Sequence, residues 1–331
     1  FRCFSSAGGS RRASWASSEM AAFMRLWTPV HLAALAIAYV WLVQASDLTT
    51  EVVSGLWFFF PVGIMGAIIA NATGTGGGVV FVPVFTALEK GGIMVPPELR
   101  TLASLSPQES VGVSFMIQCF GMSVGALVWG RAIFVKDALA WDEKIAPHTL
   151  LALTAAPLAT GIPALLLTQN FISVDGKSLI FYFKIFSLLL GTVLLLFTWA
   201  QRRQPASQRK LHVTPGELWV LLGLGIIGGA VTALFSVGIG EFLAIFLILK
   251  KFPTKVAIAV AVWVSVVCVL CGVWDNLLSG QVRIEIALIA IPGAIIGGFL
   301  AKQIAQVLGS LWLKTLASLW IIASSIYLLL T

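Results

Sequence analysis

The chain has 331 residues, 59% hydrophobic and only 11% charged. Several apolar runs exceed the roughly 18 residues that mark a spanning helix, which excludes a water-soluble domain and predicts an all-α, polytopic integral membrane protein embedded in a lipid bilayer. The formal charge of +7 does not signal nucleic-acid binding, because the basic residues sit in short loops between apolar runs and read as determinants of topology.

Residues 1–25 are rich in Ser, Ala and Arg, with Glu19 the single acid. The composition resembles an organellar transit peptide, but an extension upstream of a start at Met20 or Met24 is the preferred reading. Either way no regular structure is expected there. Residues 26–45 are an apolar run of 20 residues, about 30 Å of helix and enough to cross a bilayer. The run has no counterpart later in the chain and reads as an extra N-terminal transmembrane helix.

Residues 52–88 follow, 37 positions without a charge. One straight helix of that length would measure about 55 Å against a hydrocarbon core of about 30 Å, so the run must break. The break falls in NATGTGGG, from Asn71 to Gly78. Glycines cost a helix about 1 kcal/mol each, and irregular backbone persists at membrane depth only where protein or a water-filled cavity satisfies its amides. The sequence leaves open whether the two arms cross the membrane or form a re-entrant pair. Further spans fit residues 110–129, 149–169 and 179–200.

A second copy of this plan follows. Gly63, Gly66, Gly76 and Gly78 recur 162 positions later as Gly225, Gly228, Gly238 and Gly240. Residues 218–249 are again too long for one span and are interrupted over residues 236–240, SVGIG. Spans fit 256–274, 284–304 and 311–330, and Pro107 and Pro253 precede corresponding spans. The chain thus divides into a first repeat, 52–200, a basic cytoplasmic linker, 201–214, and a second repeat, 215–331. Interrupted apolar segments at matching places in two halves are the best sequence pointer to a transporter binding site.

The motif Gly74-Thr-Gly-Gly-Gly78, followed by a short apolar run ending at Pro83, resembles the first-repeat signature of the TauE/SafE sulfite exporter family. The weaker repeat beginning near Gly225 fits the same family, and the resemblance covers residues 52–330. It implies an integral membrane protein that moves sulfite, sulfonates or related organosulfur anions.

Positive charge orients the chain. Arg2, Arg11, Arg12 and Arg25 place the N-terminus in the cytoplasm, with Asp47 and Glu51 outside, and the cluster Arg202, Arg203, Arg209 and Lys210 belongs inside. An odd number of crossings must separate residues 52 and 200. A broken segment that returns to its starting side, or crosses twice, meets that condition. Lys250, Lys251 and Lys255 then fall inside and Asp275 outside, which makes the two repeats inverted. The expected location is the inner (cell) membrane.

The expected site lies at the breaks. Unpaired amides where the following helices start, near Gly76–Val79 and Gly238–Phe242, carry partial positive charge suited to an oxyanion. Gly76, Gly77, Gly78, Gly238 and Gly240 permit close approach, and Asn71, Thr73, Thr75 and Ser236 add side-chain donors. The bland alternative is that these glycines only let helices pack closely. Ser114 and Gln118, with Ser110, form a polar stripe at helical spacing that faces either the cavity or a neighbouring helix. Glu241 is a carboxylate at membrane depth: it carries a coupling proton, caps the helix it opens, or faces water. Lys184 can snorkel to the interface.

No soluble catalytic motif is present, and Gly74–Gly78 lacks the Lys-Ser/Thr of a phosphate loop. Cys3, Cys119, Cys268 and Cys271, with His31, His148 and His212, show no metal-ligand spacing. Neither enzyme chemistry, a metal nor a cofactor is expected, and transport must be passive or driven by an ion gradient, protons being one possibility. The reading is a secondary transporter, and an exporter, of a small sulfur-containing anion such as sulfite or an organosulfonate. Transport of another small organic anion, or a non-transporting sensor or assembly factor, is the alternative.

Overall fold

A computed structural model describes residues 6–46, 48–89, 97–134, 145–201 and 210–330. Arg2, Cys3, Asp47, Arg202, Arg203 and Arg209, all named above, lie outside the described residues. The described chain is helical throughout, without a strand.

Helix α1 runs over Ser6–Gln44, so the helix starts well inside the stretch expected to lack regular structure. Its Met24–Gln44 portion is long and apolar enough to cross a membrane. Leu26 and Trp41 are 74% and 62% exposed on it, as a lipid-facing helix requires. The short α2, Thr50–Gly55, starts where the Thr49 hydroxyl accepts from the Val52 amide. A bend at residues 56–58 then precedes α3, Phe59–Thr73. The 52–88 run is therefore broken twice, not once: Gly55 ends α2 and Pro61 lies in the first turn of α3, on either side of the earlier bend.

After the glycine break come α4, Gly78–Glu89, and the four-residue α5, Arg100–Ala103. The long helices α6, Pro107–Phe134, α7, Pro147–Phe171, and α8, Gly176–Gln201, complete the first half. The second half consists of α9, Pro215–Phe235, α10, Ile239–Leu249, α11, Thr254–Leu278, and α12, Ile284–Leu330. Helix α12 breaks at Gly309 (φ 75°, ψ 153°), which separates the two spans expected from sequence. Proline opens α6, α7 and α9, at the one helical position where its missing N–H costs nothing. At α9 a capping box adds to this, the Thr214 amide donating to Glu217 Oε2 at 2.9 Å.

The two most buried of the long apolar helices, α6 and α11, form the centre and run antiparallel. Gly112 meets Gln281, just beyond the end of α11. Cys119 Sγ donates to Val269 O at 3.5 Å, and Trp263 Nε1 to Ala126 O at 2.8 Å. Around this pair each half lends a helix to the other. Helix α3 packs on the first arm of α12, with Gly63 against Ala290 O and Gly293 against Phe60 O. Helix α9 packs on α7, with Gly225 against Pro157 O and Gly229 against Gly161 O. No side chain fits at these crossings, so glycine at offset positions 63 and 225 serves the same close approach in both halves.

Two ion pairs mark two faces. Arg283 Nε to Glu109 Oε1, 2.7 Å, joins the starts of α12 and α6. Lys210 Nζ to Glu217 Oε1, 2.5 Å, joins the linker to the start of α9, and the Lys210 amide donates to Lys251 O at 3.0 Å just after α10. The chain therefore leaves and re-enters one face across α9 and α10. At 15 and 12 residues, α3 and α4 measure about 22 and 18 Å, too short for either to cross about 30 Å of hydrocarbon.

Candidate functional site

Both long arms end the same way. Gly74 closes α3 with φ 81° and ψ 14°, its amide donating to Ala70 O at 3.0 Å. Ser236 closes α9 with φ 60° and ψ 21°, its amide donating to Thr232 O at 2.8 Å. Left-handed backbone at both C-caps turns the chain out of the helix, and the two turns meet inside the protein. A Cβ on Gly78 would sit 2.6 Å from Phe235 O and 2.8 Å from Ser236 O; one on Gly240 would sit 2.7 Å from Gly74 O. Each break is thus seated on the backbone of the other.

Two side chains tie the breaks together. Glu241 Oε1 accepts from the Gly76 amide at 2.5 Å and its Oε2 from the Gly238 amide at 2.8 Å. Gln118, reaching in from α6, accepts from the Gly77 amide at 2.8 Å through Oε1, while its Nε2 lies 2.6 Å from Ser236 Oγ and 3.0 Å from Ser114 Oγ. The Ile239 amide donates to Thr232 Oγ1 at 3.1 Å. The amides of Gly76, Gly77, Gly238 and Ile239, expected to stand free for a solute, are therefore already bonded to protein. A buried amide without a partner costs about 1–3 kcal/mol, and these four acceptors remove that cost. Of the roles open to Glu241, capping is realised, and the carboxylate caps two helix breaks at once.

Beside this junction lies a cavity of about 40 Å³, lined by Thr73, Thr75 and Glu241, by Thr198 from α8, and by Lys314 and Ser318 from the second arm of α12. At about 10–15 Å³ per water-sized group, that is room for roughly three such groups, the scale of the oxygen face of a sulfite or sulfonate. Glu241 and Lys314 are the only titratable side chains in the lining. The Lys314 ammonium takes part in no ion pair or hydrogen bond among the described residues.

The sequence matches the family described as Sulfite exporter TauE/SafE over residues 60–328. The chain belongs to the TauE/SafE family. It is 24% identical over 255 residues to the "Probable membrane transporter protein YunE" of Bacillus subtilis (strain 168), covering 73% of this chain and 85% of that protein. No solved structure matches it. The protein is accordingly a multi-pass membrane transporter, with seven helices among the described residues long and apolar enough to cross.

Within this TauE/SafE chain the predicted residues gather at one junction but divide in role. Thr73 and Thr75 line the cavity, with their hydroxyls 2.7 Å apart. Gly76, Gly77, Gly78, Ser236, Gly238, Gly240, Ser114 and Gln118 build the contact between breaks. Asn71 sits one turn back, its Nδ2 donating to Ala67 O (2.8 Å) and Gly121 O (3.2 Å), and its carbonyl accepting from Trp129 Nε1 (2.7 Å); it fastens α3 to α6. Ser110 is buried with its hydroxyl unpaired. Sequence reasoning missed Lys314, Thr198 and Ser318. The available signal was a lysine three residues into an apolar span, a position that ordinarily reads as an interfacial anchor.

Proposed function

We propose that this family member is a secondary transporter, and specifically an exporter, of a small sulfur-containing anion such as sulfite or an organosulfonate. It would work in the inner membrane with a cytoplasmic N-terminus and two inverted repeats. One observation carries the reading: two glycine-lined breaks, from halves whose central helices run antiparallel, meet inside the protein beside a small cavity lined by Lys314, whose ammonium has no partner among the described residues. The sulfur chemistry of the substrate is taken from the family description, and the cavity is of a size to suit it.

Glu241 is the coupling group in this reading. As a carboxylate it holds the Gly76 and Gly238 amides and stands in for an external anion at the helix N-termini. Gaining a proton removes the charge that draws those amides, and the substrate oxyanion in the cavity beside them then competes for them. Proton movement and anion movement are linked because both act on the same two N–H groups.

Counterflow in proteoliposomes, with labelled sulfite, sulfate, taurine and sulfoacetate, tests the proposal with and without a pH gradient. Flux of at least one sulfur anion, accelerated by the gradient, is expected. Glu241→Gln should abolish the response to the gradient; a variant that keeps it rules out the coupling role. Silence of the folded protein toward all four solutes rules out the transporter reading for this substrate class.

A further inference from the structure

We infer that Lys314 is the side chain that binds the transported oxyanion, its ammonium being the one donor and the one positive charge that the cavity offers. The inference rests on the transporter reading above and names the contact within it.

The hydroxyls that line the cavity have already committed their protons. Thr73 Oγ1 lies 2.7 Å from Ile69 O, Thr198 Oγ1 2.6 Å from Leu194 O, and Ser318 Oγ 2.7 Å from Lys314 O. A hydroxyl has a single proton to give, so each of these presents only lone pairs to the cavity. Thr75 Oγ1, 2.7 Å from Thr73 Oγ1, then donates to Thr73, since Thr73 has given its own proton to the helix. An oxyanion stripped of water needs donors. Four lining hydroxyls offer none, and the Glu241 carboxylate repels it. The ammonium of Lys314 is left, with three N–H groups and no partner among the described residues.

Charge points the same way. Lys314 is half-buried in a lining that also holds Leu194, Phe197, Ile245 and Ile248; an unpaired cation against such an apolar wall is unfavourable, and ionisable residues within a span persist where they serve a pathway. Glu241, the other charge in the lining, has its two oxygens turned to the Gly76 and Gly238 amides. A monoanion such as bisulfite or a sulfonate neutralises Lys314 and leaves Glu241 bound where it is. A dianion such as sulfate brings one negative charge too many. The inferred specificity is therefore for singly charged sulfur oxyanions.

Thermal unfolding of the detergent-purified protein provides a test, with sodium sulfite near pH 6, sodium methanesulfonate, sodium sulfate and a chloride control at equal ionic strength. Sulfite counterflow is measured in parallel on wild type, Lys314→Arg and Lys314→Met. Wild type should be stabilised by methanesulfonate and sulfite beyond chloride, and by sulfate less. Lys314→Met should weaken that affinity by about 100-fold, the worth of a charged hydrogen bond, while its melting temperature without anion rises above wild type. Lys314→Arg should retain part of the affinity.

Anion stabilisation that survives unchanged in Lys314→Met overturns the inference, and flux in the same variant leaves the transporter reading standing. Failure of Lys314→Met to fold also overturns it, because that would make Lys314 a structural residue. Binding lost in Lys314→Met, in a wild type that shows no flux, upholds the anion contact and removes the transporter reading. No stabilisation of wild type by any of these anions overturns the inference, and the counterflow measured in parallel then decides the transporter reading by itself.

Discussion

The two breaks share a backbone and differ in what they carry. At the offset of 162, Gly74 corresponds to Ser236, and both adopt left-handed conformations with nearly equal angles. Their neighbours diverge: Thr73 lines the cavity together with Lys314, whereas its counterpart Phe235 packs against Phe183 and Phe186 with ring centroids 5.8 and 5.3 Å away. Val79 is apolar, whereas its counterpart Glu241 clamps both breaks. The two breaks share the left-handed turn that ends the preceding helix, while polar residues line the cavity beside one and aromatic rings pack against the other.

The strongest way to break that comparison is to exchange the two chemistries. Phe235→Ala should cost about 3–5 kcal/mol, the range for truncating a buried Phe, seen as a large fall in melting temperature. Thr73→Val, at the matching position, removes a hydroxyl and keeps the volume. It should cost about 1 kcal/mol and leave anion stabilisation in place, since the Thr73 proton is committed to Ile69 O. If Thr73→Val proves as damaging to stability as Phe235→Ala, the two positions are both structural and the division of labour is wrong.

Next in size is the seam itself. Gly78→Ala places a methyl group 2.5 Å from Val237 Cγ2, 2.6 Å from Phe235 O and 2.8 Å from Ser236 O. Two of those three atoms are backbone and cannot step aside, so overpacking of about 1–3 kcal/mol is expected, with loss of flux. Gly223→Ala is the control: nothing lies within 4 Å of the added carbon, and alanine is the better helix former by up to about 1 kcal/mol. Melting temperatures of the two variants should move in opposite directions.

How far this site was readable in advance depends on the range of the interaction. The helices and the two breaks follow from local rules: apolar runs longer than a bilayer, prolines at Pro107, Pro147 and Pro215, and a run of glycines. The polar residues of both breaks were visible for the same reason. The bend at residues 56–58 was not, because only the single residues Gly55 and Pro61 flank it, a weaker signal than the run of glycines that follows. Nor was the fate of the amides, since Glu241 reaches Gly76 across 165 positions of sequence, and no periodicity encodes such a pairing. Lys314 was hidden by its place near a span's end. Only the break at Gly309 and the packing of the second arm of α12 against α8, with Gly191 beside Ile321 and Ile322, turn it inward.

The finest distinction between the breaks lies in their C-caps, and here the expected effects are smallest. Serine in the left-handed region is strained by about 1–2 kcal/mol, and glycine is not. What holds Ser236 there is its hydroxyl, which accepts from Gln118 Nε2 at 2.6 Å and so joins α6 to the junction. Ser236→Gly relieves the strain and loses a buried hydrogen bond of about 1 kcal/mol, so its stability should stay within about 1 kcal/mol of wild type. Gly74→Ser acquires the same strain with no Gln118 in reach, since that amide is already spent on Gly77 and Ser236, and its Cβ would meet Ala261 Cβ at 3.0 Å. It should therefore lose about 1–2 kcal/mol. Equal melting temperatures for the two variants would mean that the hydroxyl of Ser236 contributes nothing, and that the two turns are interchangeable after all.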